Sequence, residues 1–457
     1  MFTSRSKSKT NDMTQGRSMR HLVLFFLPLV MGNLFQQFYS VVDSLIVGKI
    51  LGDKAIAAVG LTGSFNFFIL GFVIGMTKGY GILFSQSFGK KDYEGLARYV
   101  ASAVRLCLGI SVAITILCVT FIKPVLYLVK TPGDIFADTY NYYVVILLGI
   151  SVTVMNNLML TILQSLGDSR RPLIAMIISS VTNIGLDLFF IIVLKMGVAG
   201  ASIATVLAQV VSFLYCAGAA MNIPELKGAF GIKTPDGTDR SYYMDLLKMG
   251  FPVGFMNSVT AIGAMILQYF VNQMESGYIA AYSVCMKFAG LFEQIGVSVG
   301  LSVLTFVGQN FGAGKIDRIK KGVNSGLILA TIVNLPLSSL MIFAPEQLTG
   351  LILNSPEYIG YCKEFLPILG ICLYGLGWLF VYRYSVQGLG NTFVPMTSGF
   401  LEVAMRVGVG LVFARQSFRG VAYAEVSAWL GAFVMLMITY YVLMSGLYRK
   451  ARTVLTW

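Results

Sequence analysis

Charged residues are scarce in this sequence. They make up 12% of the 457 residues, and 56% of the residues are hydrophobic, whereas an ordinary globular protein carries about 25% charged residues. Long apolar stretches that alternate with short polar loops are typical of proteins whose helices cross a membrane many times. The composition therefore excludes a soluble globular fold and predicts an all-α, polytopic membrane protein.

Residues suited to metal binding or nucleophilic catalysis are also few. The chain has one histidine, His21, and six cysteines, none of which forms a CxxC pair. Neither a zinc site nor a disulfide framework is indicated. An intramembrane enzyme would need a metal-binding set or an activated nucleophile. The phosphate-binding loop GxxxxGK[ST] is absent too, which leaves an ion gradient to drive any transport. We therefore expect a protein that is not an enzyme and has no cofactor.

Twelve apolar segments approach or exceed the roughly 20 residues that a membrane-spanning helix needs. The first six cover residues 22–48, 55–82, 97–121, 139–166, 172–194 and 198–221, and the second six cover 249–272, 279–306, 322–343, 361–387, 395–413 and 420–447. Residues 1–20 are polar and predict a disordered cytoplasmic tail. We assign the rest to an N-terminal six-helix lobe (21–221), a cytoplasmic linker (222–248), a C-terminal six-helix lobe (249–448) and a second cytoplasmic tail (449–457).

The basic residues are distributed unevenly between the two sides of the membrane. Of the lysine and arginine residues in the loops and tails, 21 lie on the side of the N-terminus and 7 on the other side. The positive-inside rule then predicts that both termini and the middle loop are cytoplasmic. We expect a multi-pass protein of the inner (cytoplasmic) membrane that acts as a monomer. Its net charge of +13 would attract lipid headgroups of the bilayer, and we expect no nucleic acid partner.

Four short boxes recur in the sequence at a constant offset of 223 residues. The pairs are Gln86–Gly89 with Gln309–Gly312, Gln164–Pro172 with Gln387–Pro395, Gly197–Ala201 with Gly420–Ala424, and Ala57-Ala58 with Ala280-Ala281. A register shared by separated boxes indicates that a six-helix unit has been duplicated. Because six is an even number, both lobes have the same orientation and should be pseudo-symmetric. Such repeats are typical of transporters, with the substrate path between the halves.

These boxes also resemble those of a known family. Gln309-Asn310-Phe311-Gly312-Ala313-Gly314, the Gln-x-Leu-Gly-x-x-x-x-Pro boxes and Asn183-Ile-Gly-Leu-Asp187 are similar to motifs of bacterial multidrug and toxic compound extrusion (MATE) transporters. The resemblance covers nearly the whole chain. It implies secondary active efflux of organic, cationic compounds in exchange for H⁺ or Na⁺, by alternating access.

Two acidic residues inside the predicted spans stand out. A carboxylate at the centre of a membrane helix costs about 2.5–3.5 kcal/mol on insertion scales, so it is expected to face a bundle interior or a wet cavity. Asp43 and Asp187 fall at comparable depths in the outer half of the N-terminal lobe. Asn183 lies four residues before Asp187, so both share one helix face. Two desolvated carboxylates repel each other and can hold a proton. Together with Asn183, their oxygens could instead bind Na⁺. The alternative is a purely structural buried carboxyl.

The family resemblance adds one residue to this group. In MATE proteins an N-lobe cavity holds an aspartate of the first helix, an asparagine and aspartate of the fifth and a threonine early in the sixth. The matching positions are Asp43, Asn183, Asp187 and Thr205. Other family members use a glutamate of the seventh helix. Residues 257–268, in the seventh predicted span, contain no acidic residue. An ion site that uses a glutamate of the seventh helix is therefore not expected here.

Other polar and aromatic residues in the spans are candidates for substrate contacts. A pocket for flat cations could use stacking and cation–π contacts, with Gln36, Gln37, Tyr39, Phe65 and Tyr269 as candidates; lipid-facing or core positions are the alternative. Glu402 and Arg406 are four residues apart and either neutralise each other or form a charged part of the C-lobe cavity. Lys287, Glu293 and Arg383 are also within spans, and the sequence does not pair them.

Two further functions fit the sequence less well. A lipid-linked oligosaccharide flippase of the same superfamily would need a strongly basic cavity, and only Lys287, Arg383 and Arg406 are basic candidates. An intramembrane enzyme would need a metal-binding set or an activated nucleophile, which this sequence lacks. We therefore expect a small organic substrate and either H⁺ or Na⁺ as the coupling ion.

Overall fold

The structure is a computed structural model that describes residues 10–128, 130–230 and 240–455. The side chains at 53, 64, 65, 67 and 452–455 lie outside the described set. The described residues form no strand, and their helices are α1 (Ser18–Leu51), α2 (Asp53–Lys90), α3 (Tyr93–Leu128), α4 (Phe136–Leu148), α5 (Ile150–Ser165), α6 (Arg170–Leu188), α7 (Gly197–Met221), α8 (Arg240–Val271), α9 (Ser276–Gly312), α10 (Ile316–Phe343), α11 (Pro345–Thr349), α12 (Pro356–Gly388), α13 (Phe393–Val409) and α14 (Phe418–Leu455). The predicted all-α polytopic fold is confirmed.

The fourth predicted span is a bent pair of helices. Eleven of the described helices are long and apolar enough to cross a membrane, and α4 with α5 makes a twelfth span that bends by 47°. The bend falls at Gly149, between the two helices. A Cβ atom added there would overlap the side chain of Val206 on α7, so the glycine lets α7 pack closely at the bend.

A π-helical segment follows the charged part of one helix in each half of the chain. Phe189–Val193 extends α6 two residues after Asp187, and Gly410–Ala414 extends α13 four residues after Arg406. Single π-helical turns inside longer helices occur frequently at functional sites, because they redirect side chains relative to the α-helical register. Their similar placement agrees with the duplication that the sequence predicts.

The chain divides into two compact units. The first contains residues 10–12 and Met31–Gly250. Its core includes the fully buried side chains of Tyr80 and Phe84 from α2, Leu96 from α3 and Leu158 from α5. Helices in lipid gain little from hydrophobic burial against one another, so close packing of such side chains stabilises the unit.

The second unit contains Met13–Val30 and the described residues from Phe251 onward. Helices α9 and α12 are its most enclosed spans. In each of them, 67% of the residues in the most apolar stretch are buried. Phe306 on α9 and Phe365 on α12 are fully buried. These two helices therefore form the centre of the unit.

The division between the units corrects the predicted lobe boundary. The sequence assigned residues 21–30 to the N-terminal lobe, whereas they belong to the second unit. Both divisions lie two residues from a proline inside a helix, Pro28 in α1 and Pro252 in α8. A proline removes one backbone hydrogen bond and loosens the helix locally. Hydropathy locates a span, but it does not show which neighbours each part of the span packs against.

The predicted N-terminal tail is also too long. Residues 10–17 are ordered, α1 begins at Ser18, and Met13 is fully buried. The guanidinium of Arg318 donates hydrogen bonds to the carbonyls of Met13, Gln15 and Gly16. Lys315 donates to the carbonyl of Thr14 across 2.8 Å. The polar composition of this segment suggested disorder. The sequence did not reveal the order, because the side chains that bind these carbonyls lie some 300 residues further along the chain.

The other predicted boundaries shift in a similar way. Residues 240–248, predicted as linker, are the first part of α8, and the backbone of α14 continues to Leu455 through the predicted C-terminal tail. Tyr99 of α3 donates a hydrogen bond to Asp245 across 3.1 Å, which attaches this part of α8 to the first unit. The predicted linker segment 231–239 and residues 1–9, 456 and 457 lie outside the described residues.

Candidate functional site

Asp43 of α1 and Asp187 of α6 lie against each other in the first unit. Their carboxyl groups are close enough to form a direct hydrogen bond, which exists when one of the two carries a proton. Asp187 is fully buried and Asp43 is partly exposed. The Oδ1 atom of each is buried without a hydrogen-bond donor in the described part of the chain. The pair therefore has acceptor capacity that a proton or a small cation would satisfy.

Asn183 orients the buried carboxylate. In the amide orientation that satisfies both of its ends, its nitrogen donates to Oδ2 of Asp187 across 2.7 Å. Its oxygen accepts from the backbone N–H of Thr205 on α7 across 3.1 Å. Asn183 is 2% exposed, so water does not compete for these bonds. The amide thus connects α6 to α7 and holds Asp187 in one direction.

Two tyrosines complete this group. The hydroxyl of Tyr39, one turn before Asp43 on α1, forms a hydrogen bond with the side chain of Thr205. Tyr142 of α4 lies within electrostatic range of both carboxyl groups and is 8% exposed. We call Tyr39, Asp43, Tyr142, Asn183, Asp187 and Thr205 the carboxylate cluster. The sequence did not suggest Tyr142, because one aromatic residue in an apolar span carries no distinguishing signal.

The carboxylate cluster combines two acids with neutral oxygen atoms. No group of three or more His, Cys, Asp or Glu side chains that could hold a metal ion occurs among the described residues. Carboxylate, amide and hydroxyl oxygens are hard ligands, which suit a hard cation such as Na⁺ or a proton. The arrangement is thus chemically suited to bind a monovalent cation. All four predicted ion-coupling residues, Asp43, Asn183, Asp187 and Thr205, lie in it.

The predicted substrate contacts do not form one group. Tyr39 lies in the carboxylate cluster, while Gln36 and Gln37 are exposed on α1. Tyr269 belongs to the second unit, where it is 65% exposed and its ring contacts that of Phe270 edge-on. The side chain of Phe65 lies outside the described residues.

A network of buried ion pairs lies in the second unit. Arg383 of α12 pairs with Glu402 of α13. Arg406 of α13 binds Glu425 of α14 through two hydrogen bonds, of 2.8 Å from Nε and 2.9 Å from Nη2. Glu402 and Arg406 also approach each other, with 3.6 Å between Oε2 and Nη1. We call these four residues the ion-pair network.

Glu402 and Arg406, for which the sequence left a self-neutralising pair or a charged part of a cavity open, approach each other but do not form an isolated pair. The shortest ion pair of Glu402 is with Arg383 of α12, and that of Arg406 is with Glu425 of α14. A spacing of four residues brings two side chains of one helix near each other, but it does not determine whether a residue of another helix offers better geometry. Glu402 and Arg406 are 3% and 4% exposed. Glu425 is an acidic residue within an apolar span. From the sequence alone, this position could have indicated that it pairs with a buried arginine.

A family model described as MatE matches most of this chain, at residues 28–189 and 252–412. Probable multidrug resistance protein YpnP of Bacillus subtilis (strain 168) is 27% identical over 423 residues, which cover 93% of this chain and 92% of that protein. The two matched ranges begin 224 residues apart, close to the offset of the internal repeat.

Solved structures share the fold. One described as MATE in complex with MaL6 has a TM-score of 0.90 at 21% identity and covers 97% of this chain and 100% of that chain. Another, described as the outward-facing conformation of a multidrug resistance MATE family transporter of the MOP superfamily, has a TM-score of 0.88 at 23% identity and covers 97% and 99%. The likeness extends over both halves of the chain.

Proposed function

This chain belongs to the MATE family of multi-pass membrane transporters, and we propose that it is a secondary active multidrug efflux antiporter. It exports organic, cationic compounds while H⁺ or Na⁺ enters, and alternating access of its two halves couples the two movements. The observation that carries the proposal is the contact between the carboxyl groups of Asp43 and Asp187 in membrane-spanning helices. Acidic residues inside membrane spans are rare, and they mark ion or proton pathways.

The coupling ion binds at the carboxylate cluster. With both carboxyl groups ionised, Asp43 and Asp187 would repel each other, and a bound proton or Na⁺ removes that repulsion. Asn183 holds Asp187 toward this ion, and Thr205 and Tyr39 offer hydroxyl oxygens. Arrival of the ion therefore changes the charge of the cluster, which in turn changes its affinity for a cationic substrate.

The substrate is a small organic cation. A cluster with two carboxyl groups attracts positive charge, and the aromatic rings of Tyr39 and Tyr142 beside it favour cations through their faces. YpnP, described above, carries a multidrug resistance name. The flippase alternative requires a strongly basic cavity, and two of its three basic candidates, Arg383 and Arg406, are paired with glutamates.

The transporter acts as a monomer in the inner membrane with both termini in the cytoplasm. The excess of basic residues on the loops of one side supports this orientation. Cysteine substitution at exposed loop positions on either side, followed by labelling with a membrane-impermeant thiol reagent, tests it. Labelling of the loops around Lys90 and Lys315 from the outside of intact cells would contradict it.

Ethidium transport by the purified protein in liposomes tests the function. We expect transport under a pH gradient or a Na⁺ gradient applied separately, and loss of transport to background in Asp43→Asn and Asp187→Asn. Asp134→Asn is the matched control, since Asp134 is an exposed aspartate of the same unit that pairs with Lys54 across 3.1 Å. A hydrogen bond from Lys54 and its charge lower the pKa of Asp134, so this residue is ionised at neutral pH. Full transport by both cluster variants would overturn the proposal.

A further inference from the structure

A groove of about 450 Å³ opens on the surface of the second unit, where α10, α12 and α14 meet. Ile328 and Ile332 on its α10 side are 53% and 60% exposed, so the groove is open to the surroundings of the protein. All three helices are long and apolar enough to cross a membrane, and the surroundings at this depth are therefore lipid chains. We call it the lateral groove; its lining includes Leu327, Ile328 and Ile332 of α10, Trp378 and Tyr382 of α12, and Phe433 of α14.

The polar groups along the lateral groove are hydrogen-bonded within the protein. Nε1 of Trp378 donates to the hydroxyl of Thr331 across 3.0 Å, and that hydroxyl donates to the carbonyl of Leu327 across 2.9 Å. The hydroxyl of Tyr382 lies 3.4 Å from that of Tyr441 on α14. None of the described residues that line the groove is charged. Because its hydrogen-bonding groups are already used, the groove suits a hydrocarbon chain better than a polar or charged molecule.

The aromatic floor of the groove is held in place by packing. The ring of Phe433 lies 6.0 Å from that of Trp378 and 5.9 Å from that of Tyr382, measured between centroids, and both pairs are tilted. Tyr382 is 4% exposed, so its ring has little freedom to move. A surface that is already ordered loses little conformational entropy when a chain lies against it.

Two lysines of α10 are in register with the groove. Lys320 lies seven residues before Leu327, and Lys321 lies seven residues before Ile328. Seven residues are close to two turns of an α-helix, so each lysine shares a helix face with the groove residue that follows it. Both lysines are exposed, and neither forms an ion pair with another described residue. They therefore present two positive charges on the α10 side of the groove.

The distance from the lysines to the groove matches one leaflet of a bilayer. Leu327 and Ile332 follow Lys321 by six and eleven residues, which places them about 9 and 17 Å further along the helix axis. The hydrocarbon core of a bilayer is about 30 Å thick, so one leaflet contributes about 15 Å. A phospholipid whose headgroup lies beside the lysines can thus extend an acyl chain along the groove.

The acidic residue nearest to the lysines in the chain already has a partner. Asp317 lies one turn before Lys321, and its Oδ1 accepts a hydrogen bond from the hydroxyl of Tyr448 on α14 across 2.9 Å. This bond joins the start of α10 to the last turns of α14, so both sides of the groove begin at the same level. Lys320 and Lys321 outnumber this one carboxylate, and the end of the groove attracts negative charge.

We propose that the lateral groove, together with Lys320 and Lys321, binds one anionic phospholipid of the leaflet that faces the start of α10. The phosphate lies beside the two lysines, and one acyl chain lies against Ile328, Ile332 and Phe433. The lysines select the headgroup, and the apolar floor holds the chain. The site does not depend on the proposed function, because it contains no residue of the carboxylate cluster or the ion-pair network.

Native mass spectrometry of the delipidated protein in detergent tests the headgroup preference. Phosphatidylglycerol and phosphatidylcholine with identical acyl chains are added at equal concentrations. We expect the protein to retain one phosphatidylglycerol in preference to phosphatidylcholine, and Lys320→Gln/Lys321→Gln to lower this preference at least about fivefold, since each lysine near a headgroup attracts anionic lipid. Lys90→Gln/Lys91→Gln is the matched control, since it also removes two adjacent exposed lysines, and it should keep the preference.

A phosphatidylglycerol with a photoreactive diazirine in the middle of one acyl chain locates the chain. After irradiation in liposomes, we expect crosslinks to residues 327–332 and to Phe433, in excess over those to the exposed face of α3 around Val112. Ile328→Trp fills the groove and should remove these crosslinks. Val112→Trp, at a position that is 51% exposed, should leave them. If Ile328→Trp is not recovered as a monodisperse protein, Ile332→Trp replaces it.

Several results would overturn the proposal. One is equal retention of the two lipids by the wild type, and another is an unchanged preference in Lys320→Gln/Lys321→Gln. Crosslinks spread evenly over the apolar faces of the protein would mean that the groove holds only bulk lipid. Loss of the crosslinks on addition of ethidium would assign the groove to a transported compound, and protein–protein crosslinks through the same residues would assign it to a second copy of the chain.

Discussion

The side-chain amide of Asn183 donates a hydrogen bond to the carboxylate of Asp187, one turn further along α6, across 2.7 Å. Because the other end of the amide is held by the backbone of Thr205 on α7, Asn183 cannot turn away without breaking both bonds. The direction of the Asp187 carboxylate is therefore set by two helices together. The spacing of four residues places the Asn183 amide and the Asp187 carboxylate on the same face of α6, where they can form this hydrogen bond.

Removal of this amide should weaken coupling without removing a carboxylate. Hydrogen bonds to charged groups contribute about 1.5–3 kcal/mol, and about 1.4 kcal/mol corresponds to a tenfold change. We expect Asn183→Ala to lower ethidium transport about tenfold or more at subsaturating concentrations of the coupling ion. Transport in liposomes at several ion concentrations measures this.

Asn157→Ala provides the control for that experiment. Asn157 lies on α5 in the same unit, and its amide donates to the carbonyl of Thr153 on its own helix, across 2.8 Å. Its replacement should leave transport within about twofold of the wild type, since a single neutral hydrogen bond contributes about 1 kcal/mol or less. Equal losses in both variants would mean that Asn183 has a general packing role.

Loss of one partner in the ion-pair network should destabilise the protein strongly. Glu425→Gln removes the carboxylate to which buried Arg406 donates two hydrogen bonds. Breaking a buried ion pair in this way lowers the free energy of unfolding by about 3–5 kcal/mol. Replacement of both partners, in Arg406→Met/Glu425→Leu, removes both charges and should recover much of this stability. Thermal unfolding of the purified proteins in detergent measures the difference.

An exposed ion pair serves for comparison. Arg419 and Glu364 approach to 3.2 Å with more than two fifths of each side chain exposed, and such surface pairs contribute little. Glu364→Gln should therefore unfold close to the wild-type temperature. If Glu425→Gln did the same, the ion-pair network would not stabilise the second unit.

The hydrogen bonds of Arg318 should control the order of the N-terminal segment. Arg318 donates to three backbone carbonyls of residues 13–16, at 2.8, 3.0 and 2.6 Å. In Arg318→Ala these carbonyls lose a charged donor, and we expect amide hydrogen exchange in residues 13–17 to accelerate by about tenfold or more. Lys320→Ala, at an exposed position two residues away, should leave the exchange unchanged. Unchanged exchange in Arg318→Ala would show that the other contacts of the segment, such as the hydrogen bond from Lys315 to the carbonyl of Thr14, order it without Arg318.

Parts of the candidate site could be predicted from the linear chain. The comparable depth predicted for Asp43 and Asp187 follows from their distance to the ends of their spans, and the shared face of Asn183 and Asp187 follows from helical periodicity. The partners of Arg406 could not be predicted in this way. Its nearest acid in sequence, Glu402, is on its own helix, while its closest ion pair is with Glu425, 19 residues further on.

The amino-acid sequence by itself determined that this protein is a multi-pass helical membrane protein with a duplicated half. Hydropathy and repeated boxes are properties of the linear chain, and a segment of apolar residues must form a helix in lipid whichever neighbours it has. Only the tertiary structure decided that Asp43 and Asp187 touch, that Arg383 pairs with Glu402, and that Arg318 binds residues 13–16. Each of these contacts joins side chains or backbone from separate parts of the chain, and its formation depends on how the helices rotate and pack, which no local pattern specifies.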